Sequence, residues 1–218
     1  MSEVPHVVAA SIEDLTEMLS GSDRGVLVLP HGSAFPLDAW GSIRSFLDRG
    51  GSLVVLGGAP FHQPVRFEDG RWKVLDRQPT YAHELLIGPA EAVAISEGVQ
   101  TALPQPDWTL PLTGGTTVWE PTVRLATRPD QPQEHGSEGY RDALLRPLVQ
   151  LVDADGVPRA CPLFEIDHLL GDRAGARWIF APTDAPLTPS LIRAVVERAM
   201  EGASEVRAQP VYASVMAG

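Results

Sequence analysis

Two short apolar runs constrain this chain more than anything else in it: GVLVLP at residues 25 to 30 and SLVVLGG at 52 to 58. Strands that carry no polar alternation have both faces covered, which is the condition of a sheet flanked by helices. Between the runs, Leu37, Trp40, Ile43 and Leu47 recur at helical spacing. Asp38 lies in the first turn of that helix and Gly50-Gly51 stop it after Arg49. Upstream, HVVAA (6 to 10) predicts a strand. SIEDLTEML predicts a helix capped by Ser11, with Asp14 three residues on and Ile12, Leu15 and Leu19 on one face. The order β-α-β-α-β predicts parallel strands joined by right-handed crossovers.

The last part of the chain returns to this grammar. ARWIFAP (176 to 182) reads as a strand, and Thr188-Pro189 start a helix whose buried face is Leu191, Ile192, Val195, Val196 and Ala199. Gly202 is expected to end it, with EVRAQPVYASV extended beyond. The apolar finish at VMAG suits a cut between two domains, so the chain is expected to be one domain, 1–218, of a larger protein. The region from about 62 to 170 follows other rules. VRFEDGRWKVLD and PLVQLVDADGVPRACPLFEI read as hairpins around Asp69-Gly70 and Asp155-Gly156. With TTVWEPTVRLA and the polar stretch TRPDQPQEHGSEGYRD, they predict an antiparallel β-rich insertion into the α/β sheet.

Composition removes several function classes. With 44% hydrophobic residues over 218 positions, the chain can bury a core. Its 17 basic and 28 acidic residues give a formal charge of -11 and form no basic stripe, which argues against nucleic acid and anionic membranes as partners. The apolar runs are far shorter than the ~20 residues that span a bilayer, and MSEVPHVVAAS does not read as a signal peptide, so a cytoplasmic location is expected. Cys161 is the single cysteine, which excludes an intrachain disulfide and a multi-cysteine zinc site. No cofactor or metal is expected.

Ligands of open α/β sheets collect at the carboxyl ends of the parallel strands. Here those ends are PHGSAFP (30 to 36), GGAPFHQP (57 to 64) and APTDAP (181 to 186). The candidate ligand-binding residues are therefore His31, Gly32, Ser33, Gly57, Gly58, His62 and Asp184. His31 ends a buried strand and suits a contact or a general base, or else a hydrogen bond to the next loop. Gly57-Gly58 allow positive φ and a close backbone approach, but the surroundings match neither GxGxxG nor a P-loop. No GxSxG or HExxH occurs. In a straight strand Cys161, Glu165 and Asp167 would share one face and His168 the other, with Cys161 and His168 over ~20 Å apart. That spacing argues against a triad and makes Cys161 a small core hydrophobe. DADG (153 to 156) reads as a turn rather than a calcium loop, and Glu134, His135, Glu138 and Asp142 as a solvated cluster. Trp108 and Trp119 are suited either to stacking on a sugar or to core packing.

Residues 23 to 61, DRGVLVLPHGSAFPLDAWGSIRSFLDRGGSLVVLGGAPF, resemble the class I glutamine amidotransferase-like superfamily. They are most similar to the branch found as the trimerisation domain of beta-galactosidases and in related multidomain glycoside hydrolases. GARWIFAPTD and the helix from Pro189 are similar to that family's closing strand and helix. The resemblance implies a flavodoxin-like three-layer α/β sandwich with a mainly parallel sheet. It also implies a cysteine at the turn after SLVVLGG, completed by a histidine and an acid. This chain has Gly57, Gly58 and Ala59 there, so no catalytic residue carries over. The expected function is a non-catalytic domain of a larger, carbohydrate-active protein, with a structural, oligomerisation or accessory binding role. Its partners would be other domains of a parent chain, further copies of itself, or a carbohydrate. The alternative is a hydrolase or small-molecule-binding enzyme with a rebuilt site around His31, Ser33, His62 and Asp184.

Overall fold

A computed structural model of the chain describes residues 6–21, 25–85, 87, 90–121, 143–169 and 171–208. The N-terminal half runs α1 (Ile12–Gly21), β1 (Val26–Leu29), β2 (Ala34–Pro36), a single 3-10 turn (Leu37–Ala39), α2 (Trp40–Asp48) and β3 (Ser52–Leu56). It continues through β4 (Gln63–Glu68), β5 (Arg71–Val74), α3 (Thr80–Glu84), β6 (Ala90–Ala94) and β7 (Gln100–Ala102). The chain then forms β8 (Thr117–Pro121), β9 (Ala143–Val152), β10 (Pro158–His168), β11 (Arg177–Ala181) and α4 (Pro189–Ala208).

The central sheet has six strands in the order β1-β3-β11-β10-β9-β7. β1, β3 and β11 are mutually parallel, while β10, β9 and β7 each run antiparallel to the neighbour before them. A second sheet holds β2, β4 and β5, and a third pairs β6 with β8. This corrects the flavodoxin-like expectation: the sheet is not mainly parallel, and among the described residues strand exceeds helix, 36% to 25%. The cause is connection length. Parallel neighbours need a crossover of about a dozen residues or more, whereas β9, β10 and β11 succeed one another through connections too short for one. Of the strands expected to form an insertion, β7, β9 and β10 extend the main sheet, while β4 and β5, and β6 and β8, lie in the two smaller ones.

The apolar runs behave as their composition demands. Every residue of β3 and of β11 is buried. One face of the sheet packs under α1 and α2, bringing Leu19, Ile43, Phe46 and Leu47 onto Leu53, Val55, Phe164, Trp178 and Phe180. The other carries α4, with Leu191, Val195 and Ala199 on Val54, Leu163 and Ile179. Each fully buried side chain of this kind contributes about 1.5–3 kcal/mol. The Asp69-Gly70 hairpin forms as expected, with both residues at positive φ.

Three local expectations fail. HVVAA pairs with no strand among the described residues, and Val7 and Val8 are 79% and 76% exposed. α4 does not end at Gly202 but continues to Ala208. Gly202 is there for contact, since a Cβ would lie 2.6 Å from Cβ of Arg177. Of the expected extended segment, residues 205 to 208 are helical and the rest lies outside the described residues. Glu134, His135, Glu138 and Asp142 also lie outside them, as does the end of TTVWEPTVRLA.

Candidate functional site

The turn after β1 and the turn after β3 do meet, as their positions at adjacent parallel strand ends require. Gly32 donates its N–H to the Leu56 carbonyl at 2.7 Å, and its own carbonyl accepts from Phe61 at 3.2 Å. Gln63 donates to the Ser33 carbonyl at 2.8 Å, and Gly57 to Ala181 at 2.9 Å. A Cβ on Gly32 would stand 2.0 Å from the Gly57 carbonyl oxygen, and one on Gly58 would stand 2.2 Å from Ser33 Oγ. Gly57 and Gly58 hold φ of 83° and 63°, the left-handed region that favours glycine. Gly32, Ser33, Gly57 and Gly58 thus come together, and their contacts close the loops on one another.

Phe61 completes the closure. It adopts φ 56° although it is not glycine, and its side chain is fully buried. Its ring packs 5.7 Å from Phe35 and 5.4 Å from Trp40, and Tyr81 joins the same group 4.9 Å from Phe35. Residues held at such angles persist only where the surroundings over-determine them, and this aromatic cluster does so. The strained residue of the turn is an anchor directed into the core.

The remaining candidates are scattered, and two of them, His62 and Asp184, are occupied. His31 is exposed. His62 is buried, with Nδ1 2.7 Å from the Pro60 carbonyl and Nε2 accepting from the Ala90 N–H at 3.4 Å. That pairing places the proton on Nδ1. Burial, reinforced by Arg77 and His83, holds the ring below its ordinary pKa and keeps it neutral. Asp184 accepts from the backbone of Thr116 and Thr117 at 2.8 and 2.9 Å and from the Thr116 hydroxyl at 2.5 Å. The Thr116 bond leads in holding its carboxyl below the usual range. Asp184 therefore clamps the start of β8 over the end of β11, where Thr183 Oγ1 also donates to the Thr117 carbonyl. Among the described residues, His31, Ser33, His62 and Asp184 share no hydrogen bond with one another.

Cys161 is 1% exposed, and its thiol donates to the carbonyls of Val149 and Leu163 at 3.3 and 3.5 Å. The expected facing of β10 is wrong. Register shifts against β9 between Ala160 and Phe164 break the two-residue period. Cys161, Phe164 and Ile166 consequently lie toward α2, and Leu163 toward α4. His168 follows Phe164 and Ile166, its ring 4.2 Å from Trp178, and Glu165 turns to the α4 side instead. Pro147 and Pro162 lie at these irregularities, where a residue without an N–H costs the ladder least.

The sequence reading missed an ionic cluster between the sheet and α4. Glu165, fully buried, takes two bonds from Arg198, at 2.6 and 2.9 Å. Asp167 takes Arg177 Nε at 2.5 Å and also Arg146 Nη2. Arg146 Nε stands 2.9 Å from Glu165 but without hydrogen-bond alignment, and Arg198 reaches the rim residue Asp107 at 2.9 Å. Three guanidiniums face three carboxylates. Burial opposes the charge on Arg198, yet the bonds to Glu165 and Asp107 prevail and raise its pKa. The available signal was Glu165 and Asp167 two apart in an otherwise apolar strand, with Arg198 set between Val195 and Ala199 on the buried side of α4.

Beside Asp107 an open depression of about 190 Å³ is lined by Trp108, Leu110, Glu197, Arg198 and Glu201. It is smaller than the roughly 300–1,000 Å³ of ordinary ligand pockets. Trp108 is 6% exposed and donates to the Leu110 carbonyl, so it packs rather than presents a stacking face. Among the described residues no three His, Cys, Asp or Glu side chains gather as a metal site, and no helix is long and apolar enough to cross a membrane. No family model matches the chain, and no curated protein or solved structure matches it.

Proposed function

We propose that the chain works as a non-catalytic domain of a larger, carbohydrate-active protein related to the amidotransferase-like superfamily. Its role would be packing against other domains, self-association or accessory binding, with carbohydrate as one class of ligand. The observation that supports this best is the closure of the strand ends. The turn after β3, where a related enzyme would present its nucleophile, holds Gly57-Gly58-Ala59; Gly58 leaves no room for a Cβ against Ser33, Gly57 is held at positive φ, and its carbonyl leaves none for a Cβ on Gly32. Cys161 sits deep in β10, 1% exposed, with its thiol on two carbonyls. His62 and Asp184 are committed to backbone groups, which weakens the rebuilt-site alternative. The carbohydrate-active parent rests on the sequence resemblance.

The test measures ammonia release from glutamine alongside the pH dependence of Cys161 alkylation. The expected result is no release above the blank, with slow alkylation that accelerates only on unfolding. Glutamine turnover that disappears in Cys161→Ser would overturn the proposal, as would fast alkylation with an apparent pKa well below ~8.5.

A further inference from the structure

The two edges of the central sheet are unlike each other. At one end β7 is three residues long and reads QTA, short and polar, as protected edges are. At the other end β1 reads VLVL, pairs with β3 in unbroken register from Val26 to Leu29, and carries no proline, charge or bulge. Among the described residues no strand lies beyond it. A regular apolar edge with open N–H and C=O groups is a template for another strand.

The chain also carries a strand-like segment outside every sheet. Residues 7–10, VVAA, match β1 in length, and Val7 and Val8 are the most exposed large apolar side chains described. Within one copy, α1 keeps this segment from the β1 edge. Ser11 caps α1, its Oγ accepting from Asp14 at 3.0 Å and its carbonyl from Leu15 at 3.1 Å. α1 is fixed to α2 by buried Leu19, whose carbonyl accepts from Arg49 at 2.8 Å. A strand that feeds a helix in the next layer ordinarily uses about two to six connecting residues, and none remains between Ala10 and Ser11. A second copy has no such restriction.

We propose that residues 7–10 of one copy add as a strand to the β1 edge of a second copy, and that the exchange is reciprocal. Each copy gives one strand and receives one, so the contact closes as a two-fold dimer. Val7 and Val8 leave water, and the unpaired row on β1 is satisfied. Such a dimer forms whether or not the domain is catalytic.

The test is the molar mass of the full chain by light scattering over a wide concentration range, with hydrogen exchange read at the β1 amides. The wild-type chain is expected to be a dimer whose β1 amides that do not bond β3 are protected. The double variant Val7→Asp/Val8→Asp should weaken the dimer by at least about tenfold and expose those amides, with circular dichroism unchanged. Phe67→Asp/Trp72→Asp, on the other exposed apolar patch, should leave the dimer intact. A wild-type monomer at every concentration, which is also the outcome of pairing within one copy, would overturn the proposal. So would a dimer indifferent to the Val7/Val8 change, one broken by the Phe67/Trp72 change, or β1 amides equally protected in both proteins.

Discussion

Replacing Glu165 by glutamine keeps the shape of the side chain and removes one charge from the centre of the α4 cluster. In the native protein Glu165 has no exposed surface, accepts both bonds of the Arg198 fork and lies within 4 Å of Arg146 and Arg177. After the change, three guanidiniums share Asp167, which is buried, and Asp107, whose side chain is 59% exposed. The glutamine amide also turns an N–H₂ toward a guanidinium, where only acceptors are useful. Breaking a buried pair by removing one partner costs about 3–5 kcal/mol, because the other charge stays desolvated. At about 2–4 °C per kcal/mol for a chain of this size, the melting temperature should fall by roughly 6–20 °C. Urea unfolding monitored by tryptophan fluorescence measures the loss directly. A double-mutant cycle with Arg198→Met should give a coupling of more than ~1 kcal/mol, since each single change strands the other group. Lys73→Met is the control, removing solvent-screened surface pairs with Glu68 and Asp69, and should leave stability almost unchanged. A loss under about 1 kcal/mol for Glu165→Gln, or a coupling near zero, would refute the reasoning and mean that water reaches the cluster.

Gly32→Ala should destabilise by about 1–3 kcal/mol or more, because the new Cβ meets the Gly57 carbonyl and Val55; chemical denaturation checks it, with Gly70→Ala as a comparison where only φ is strained. His168, its Nε2 buried without a partner, has its pKa pushed down to about 3 by burial and by Arg173. Its folded pKa lies below the unfolded 6.5, so its contribution is complete above pH 6.5 and is lost as pH falls toward 3, at about 1.4 kcal/mol per pH unit. His62 acts in the same direction. His168→Phe, which preserves packing on Trp178, should flatten the acid limb of the stability profile; an unchanged slope would place the proton uptake elsewhere.

What the sequence made legible was local. The unbroken apolar runs of β1 and β3, the stripe of α2 and the Asp69-Gly70 turn each carry their structure in a few neighbouring residues, and each forms as read. The antiparallel pairing of β9 and β10 was legible in the same way, from the Asp155-Gly156 turn, but their place in the central sheet was not local. Both strands are buried over most of their length, and it is their pairing with β11 on one side and β7 on the other, set by distant residues, that makes them part of that sheet. The facing of Cys161 failed for a related reason. A two-residue period holds only while the register is continuous, and two prolines in facing strands interrupt it.

The site shows the same division with an additional step. Glycines at strand ends signal that backbone or ligand comes close, and the sequence cannot say which. Here Gly32 meets Gly57, and Gly58 meets Ser33, so the approach is made by the protein to itself. Gly202 obeys the same logic in α4, where the missing Cβ admits Arg177 to the carboxylates of β10. An open strand-end pocket would need the two turns to separate, and separation would break Gly32 to Leu56, Phe61 to Gly32 and Gln63 to Ser33 together. It would also withdraw Phe61 from the aromatic cluster that holds its left-handed backbone. The parallel strand ends, where open α/β sheets collect their ligands, are in this chain part of the core's own support.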